Sequence, residues 1–185
     1  MLQSSFSVRT NMIKLVKPSV PEFEQFKSLA ISIYIEELVK YREYSSKTAA
    51  TQYAHEEVNG MLPLGLETPR QFILFAKNNR NETVGYLWYV TEPPEFTAVN
   101  QGFLAYLFVL PEHRKKGFAS KIMDAWEERL KLEHDIFFGY FYVFRDNTPA
   151  INLYKKLGYK LQEDFGWADL STTKRYFMAK RYEKS

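Results

Sequence analysis

LAYLFVLPEHRKKGFASK, residues 104–121, joins an apolar run to a basic, glycine-bearing loop and then to the start of an amphipathic helix. The run over 102–110 (GFLAYLFVL) is apolar at odd and even positions alike, the pattern of a strand covered on both faces and therefore central in its sheet. Pro111 stops it. A helix over 115–133 carries Ala119, Ile122, Met123, Trp126 and Leu130 on one stripe, with charges opposite. The first N–H groups of such a helix have no partner and its dipole is positive there, so the pattern predicts a phosphorylated ligand at this joint. Gly117 lets phosphate oxygens approach the backbone, Ala119 adds little bulk, and Arg114, Lys115 and Lys116 supply positive charge.

Working outward, the next apolar run, 136–144 (IFFGYFYVF), follows that helix after a short turn. Strand, helix and strand then form a βαβ unit whose two strands are parallel neighbours. Downstream, Asp146 or Asn147 can cap a short helix with Pro149 in its first turn, and Ile151, Leu153, Tyr154 and Leu157 carry it to Gly158. A short strand over 159–162, a polar turn over 166–173 and a closing strand over 175–181 complete the chain. Upstream, 12–17 alternates like a half-buried strand, and 20–44 has helical spacing for one long helix or two short ones. A further helix over 46–61 stops at Gly60 and Pro63, before the loop LPLGLETP at 62–69. Two strands, 71–77 and 83–91, form a hairpin around the turn at 78–82, with Gly85 marking a bulge. Pro93 and Pro94 break the chain before the central strand.

The chain of 185 residues suits one domain over 12–185 after a loose tail at 1–11. A formal charge of +3 is too small for a nucleic-acid binder, which would need a strongly basic face. The absence of cysteine excludes disulfides, thiolate ligands and a cysteine nucleophile, and His55, His113 and His134 have no metal-site spacing. No signal peptide or bilayer-length apolar run is present, so a soluble, cytoplasmic protein with no membrane partner is expected. An edge strand near the C-terminus suits a monomer or a homodimer alike.

With these elements in order, the chain resembles the GNAT superfamily of acetyl-CoA-dependent N-acetyltransferases. Arg114-Lys115-Lys116-Gly117-Phe118-Ala119 is similar to its Arg/Gln-x-x-Gly-x-Gly/Ala loop. The preceding Leu107-Phe108-Val109-Leu110-Pro111 is similar to its strand ending in Val-x-Pro. Asn147, Ala150 and Leu153-Tyr154-Lys155-Lys156-Leu157-Gly158-Tyr159 resemble its Asn…Ala-x-x-Leu-Tyr-x-Lys-x-Gly-Phe/Tyr helix. The LPLGLETP loop and YREYS at 41–45 look like a bacterial branch of small GNAT proteins. The fold implied is α/β (α+β): a mixed, mostly antiparallel sheet with one splayed parallel pair, flanked by helices.

The resemblance implies transfer of an acetyl group from acetyl-CoA, as co-substrate and without a metal, to a primary amine on a small molecule or protein. It implies that the loop from Arg114 through Lys115, Lys116, Gly117, Phe118, Ala119 and Ser120 holds the pyrophosphate, and that the backbone of Leu107, Phe108 and Val109 pairs with pantetheine. Tyr154 is implied as the general acid for the departing thiolate. Asn147 has two uses, helix cap or hydrogen bond to pantetheine, and Lys156 can reach a CoA phosphate or stay solvated. Many relatives carry an acid on the strand before the loop, yet here it reads Ala105-Tyr106-Leu107. Tyr106 can orient the acceptor, and Glu36, Glu37 and Glu43 can draw a cationic one. Glu92, Glu163 or a water chain are the alternatives for the base. The missing strand acid also leaves open an idle CoA-binding sensor or scaffold.

Overall fold

The computed structural model describes residues 13–92, 100–162 and 174–183. The expected tail over 1–11, the Pro93–Pro94 break, Glu163 and the turn over 166–173 lie outside those residues.

Among the described residues, β1 (Lys14–Val16), β2 (Gln71–Lys77), β3 (Thr83–Thr91), β4 (Gly102–Val109), β5 (Phe138–Phe144), β6 (Lys160–Leu161) and β7 (Arg175–Arg181) form one sheet. Its order is β1-β2-β3-β4-β5-β7-β6. Every neighbouring pair is antiparallel except β4 and β5, which are parallel because α3 (Phe118–His134) returns the chain between them. The remaining helices are α1 (Val20–Lys40), α2 (Lys47–Met61) and α4 (Thr148–Lys156).

Alternation along the strands divides the core in two. In β2, Ile73 and Phe75 turn toward α1 and α2, joining Phe23, Phe26, Leu38 and Val58, while Leu74 and Ala76 turn the other way onto α3. In β3, Trp88 goes with the first layer, and Leu87 and Tyr89 with the second. The stripe of α3 supplies Ile122, Met123, Trp126 and Leu130, each fully buried, to the second layer. Both faces of the central strands are thus covered, which is why they lack a polar side in the sequence.

Helix ends follow local chemistry. Ser46 Oγ accepts from the Ala49 N–H at 3.1 Å and starts α2. α1 stops at Lys40, short of the expected 44, because Arg42 turns left-handed (φ 57°) and the Glu43 and Tyr44 N–H groups fold back onto the Leu38 carbonyl. α3 begins at Phe118 instead of 115, because Lys115 (φ 58°) and Gly117 (φ 78°) are left-handed and cannot continue a right-handed helix.

Two bulges shape the middle of the sheet. Ala76 faces Gly85 but Lys77 faces Thr83, leaving Val84 unopposed next to the glycine marked by the sequence. Trp88 faces Tyr106 but Tyr89 faces Leu104, leaving Ala105 unopposed in β4. At Gly85 a side-chain carbon would run into the Phe108 carbonyl oxygen, a backbone atom that cannot swing away. Gly85→Ala is expected to destabilise the protein by about 1–3 kcal/mol through this overpacking, lowering the urea midpoint at unchanged slope; an unaltered midpoint would show that β3 and β4 are not in this close contact.

Candidate active site

β4 and β5 pair only through Gly102–Gly139 and Phe103–Tyr140 and then part. β4 stays bound to β3 on its outer side, and β5 to β7 along all of its 7 residues. The parting opens a cleft of about 150 Å³ between residues 104–108 and 141–144, closed by Asn147, Ala150 and Tyr154 of the α4 segment and by Ile33, Tyr34 and Glu37 of α1. Leu107 and Phe108 line it directly. Val109 lies beyond the lining, and its carbonyl oxygen accepts from Arg114 Nε at 3.0 Å.

The loop at the end of β4 presents bare backbone. The first bond of α3 runs from the Lys121 N–H to the Gly117 carbonyl at 3.3 Å, so Phe118, Ala119 and Ser120 have no acceptor for their N–H groups within the helix, and Gly117 offers no side-chain cap. A Cβ built on Gly117 meets no atom within 4 Å, so the glycine is required by its positive φ and faces open space. Arg114, Lys115, Lys116 and Gly117 are exposed, Ala119 and Ser120 half-buried. Two of the three cations are already engaged: Arg114 lies over the Phe108 ring at 5.1 Å, and Lys116 Nζ donates to the Glu112 carbonyl at 2.7 Å. Phe118 is buried against the His113 ring and belongs to the core, leaving only its N–H to the loop. An anion at this loop would meet N–H groups and the helix end more than side-chain charge.

At the other end, Asn147 Oδ1 faces the Ala150 N–H at 3.4 Å as the cap of α4 while its side lines the cleft, so both of its expected uses are available at once. Tyr154 packs on Phe141, with ring centroids 4.2 Å apart, and also lines the cleft. Burial, and secondarily the charge of Glu37, hold its hydroxyl well above the ordinary tyrosine pKa. Lys156 stands exposed at the end of α4 and lines no part of the cleft.

Tyr106 has a buried hydroxyl with no hydrogen-bond partner among the described residues, in the wall of the cleft. A buried polar atom left unpaired is costly, so this one points to a polar group supplied by a ligand. Burial, then the nearby Glu37, raises its pKa, which removes it as a base near neutral pH. The cleft between parted strands, the N–H groups at α3 and this hydroxyl fit a phosphorylated ligand with an extended arm.

Glu37 is the carboxylate among the cleft's lining residues. Burial raises its pKa, while Lys40 and then Arg175 pull it down. Glu36 is exposed and outside the lining. Glu92 is bound to Arg70 at 3.0 Å at the end of β3, also outside the lining. Glu43 is tied to Arg175 Nε at 2.8 Å. Glu37 had a readable signature: it sits four residues after Ile33 and four before Tyr41, an acid within the apolar stripe of α1.

Arg175 carries no signature of this role in the order of residues. It opens β7, yet it donates to Tyr34 at 2.8 Å as well as to Glu43, tying the far side of the cleft to α1. No local motif announces a contact spanning 132 residues of chain.

Residues 32–159 match the profile of the Acetyltransferase (GNAT) family, and the chain belongs to that family. It is 30% identical over 150 residues to YycN of Bacillus subtilis, an uncharacterized N-acetyltransferase, covering 80% of this chain and 92% of that one. The crystal structure of YycN superposes with a TM-score of 0.76 at 25% identity, over 86% of this chain and 99% of that one. The PaiA N-acetyltransferase of Thermoplasma acidophilum, solved in complex with coenzyme A, shares the fold with a TM-score of 0.64 at 18% identity, over 92% and 99% of the two chains.

The open space over Gly117 makes a sharp expectation. Gly117→Val, strained at φ 78° and projecting into that space, is expected to weaken acetyl-CoA binding by at least about tenfold in calorimetry. Lys115→Ala and Lys116→Ala should cost less. Wild-type affinity in Gly117→Val would place the cofactor elsewhere.

Proposed function

We propose that this protein is an acetyl-CoA-dependent N-acetyltransferase that acetylates a primary amine by direct attack in a ternary complex. The observation that carries this reading is the cleft between β4 and β5, which has a half-buried carboxylate, Glu37, on one wall and a half-buried phenol, Tyr154, on another. Acetyl-CoA, when bound, supplies an acetyl thioester.

A primary amine near neutral pH is mostly protonated and has no lone pair for attack. Glu37, ionised, attracts the ammonium and takes one proton from it. Burial makes Glu37 a stronger base than an exposed carboxylate, and the nearby Lys40 and Arg175 favour its charged form. The freed nitrogen bonds to the acetyl carbon as the carbon–sulfur bond breaks, and Tyr154 gives its proton to the departing sulfur. The raised pKa of Tyr154 keeps that proton in place until then. Two protons leave the ammonium: one passes through Glu37 to solvent, and the other replaces the one that Tyr154 gave.

This reading answers the missing acid on β4. The base comes from α1 across the cleft, so the composition of residues 105–107 no longer favours an idle CoA-binding sensor. Because the chain has no cysteine, a thiol reagent in the assay reports only released CoA. Release on incubation with a panel of amines supports transfer, whereas acetyl-CoA binding without release would support the sensor.

Tyr154→Phe is expected to lower kcat by about 10²–10⁴-fold, the usual worth of a positioned acid, with little change in acetyl-CoA affinity. Unchanged turnover would remove that role. Glu37→Gln is expected to abolish the acid limb of the kcat/KM profile. In wild type that limb falls as pH drops through the Glu37 pKa, with a midpoint above the ordinary carboxylate range, because the protonated carboxyl cannot accept from the amine. A limb that survives in the variant belongs to another group.

A further inference from the structure

A second cavity of about 80 Å³ opens off the cleft on the α1–α2 side and shares Tyr34, Leu104, Ala105, Tyr106, Tyr142 and Arg175 with it. Its own walls are apolar apart from Glu57: Ala30, Val58, Met61, Trp88 and Phe103. The Trp88 indole N–H is occupied by Gln71 Oε1 at 2.6 Å, so the ring offers the cavity carbon surface only. The charged groups on the walls, Glu57 and Arg175, are joined through the Tyr34 hydroxyl. Tyr34 donates to Glu57 at 2.7 Å and accepts from Arg175 at 2.8 Å, and Arg175 also holds Glu43. Burial, then Glu57, pushes the neighbouring Tyr53 hydroxyl up to about 12, so it stays a donor beside that carboxylate.

These facts restrict the acceptor. A polyamine or aminoglycoside brings a second and third ammonium, each needing a free carboxylate in a partly dry site. Glu57 is the acidic side chain among the described residues of this cavity's lining; it already accepts the Tyr34 hydroxyl, and Arg175, bonded to that same hydroxyl on the shared wall, repels an added cation. An apolar group suits the cavity instead. Its volume compares with the ~30 Å³ a water occupies in the liquid, which is room for about three or four heavy atoms. Tyr106, on the wall common to both spaces, has no partner for its hydroxyl among the described residues. A carbonyl oxygen close to the reacting amine would satisfy it.

Resting on the transferase reading above, we propose that the second cavity receives the apolar side chain of an α-amino acyl acceptor, such as the first residue of a peptide, with its amine toward Glu37 and its carbonyl toward the Tyr106 hydroxyl. Discrimination of this kind is worth about 10–200-fold per methylene-scale difference in an apolar pocket.

The test is CoA release by the full chain with tripeptides identical except for a first residue of Leu, Met or Gly, and with spermidine. Leu- and Met-first peptides are expected to exceed the Gly-first peptide by at least about tenfold in kcat/KM, with spermidine the poorest. Met61→Trp, at a half-buried position on the cavity wall, should collapse the Leu-to-Gly ratio toward one. Turnover that favours spermidine, or that ignores the first residue in wild type, overturns this inference and leaves the transferase reading standing. No release from any amine overturns both. The wild-type series decides the matter even if Met61→Trp fails to fold.

Discussion

The structure depends on two strands that stop pairing. β4 and β5 are each held along their outer sides, by β3 and by β7, and are joined to one another only at Gly102–Gly139 and Phe103–Tyr140. Each half of the sheet is therefore stable without the other's full ladder, and the edge of β4 beyond Phe103 is open to a ligand. The unopposed Ala105 lies at the start of this open stretch, where a bulge adds local twist and turns the strand away from its neighbour.

A parted sheet needs something to span the gap on its faces. Over one face, α4 brings Tyr154 onto Phe141, and Ile151 joins the core beneath α3. Over the other, the Tyr41 ring stacks on Phe144 with centroids 4.5 Å apart, and Arg175 of β7 bonds Glu43 and Tyr34. The Arg175–Glu43 pair is largely shielded from solvent, so removing one partner would strand the other's charge, which makes this link more consequential than an exposed ion pair. The same polar chain that ties α1 to β7 also engages Glu57 and Arg175 at the second cavity, whose other own walls are apolar.

The division into faces gives the site its division of labour. The α3 side offers backbone N–H groups at Gly117–Ser120, suited to an anion, while the α1–α2 side offers a carboxylate and an apolar recess, suited to a cation with an apolar neighbour. Glu37 and Tyr154 face the space where the two meet. The carboxylate's charge, after burial, helps to hold the phenol protonated.

Much of this was legible in the order of residues, because it follows from local rules. Alternating and helical periodicities located β2, β3 and β7 to the residue, and the central strands by their two apolar faces. The loop at 114–119 and the helix at 147–158 carried the family resemblance. The start of α3 was displaced by three residues because the left-handed turn at Lys115 and Gly117 is a backbone choice that periodicity does not record. What only the tertiary structure decided is the meeting of distant groups: Glu37 beside Tyr154 and Tyr106, Arg175 on Tyr34 and Glu43, and Tyr106 left without a partner between two cavities. Sequence fixes which face of its own element a side chain occupies, but the distance between two faces depends on how far β4 and β5 part. That parting is set by the packing of the whole sheet, and no local pattern encodes it.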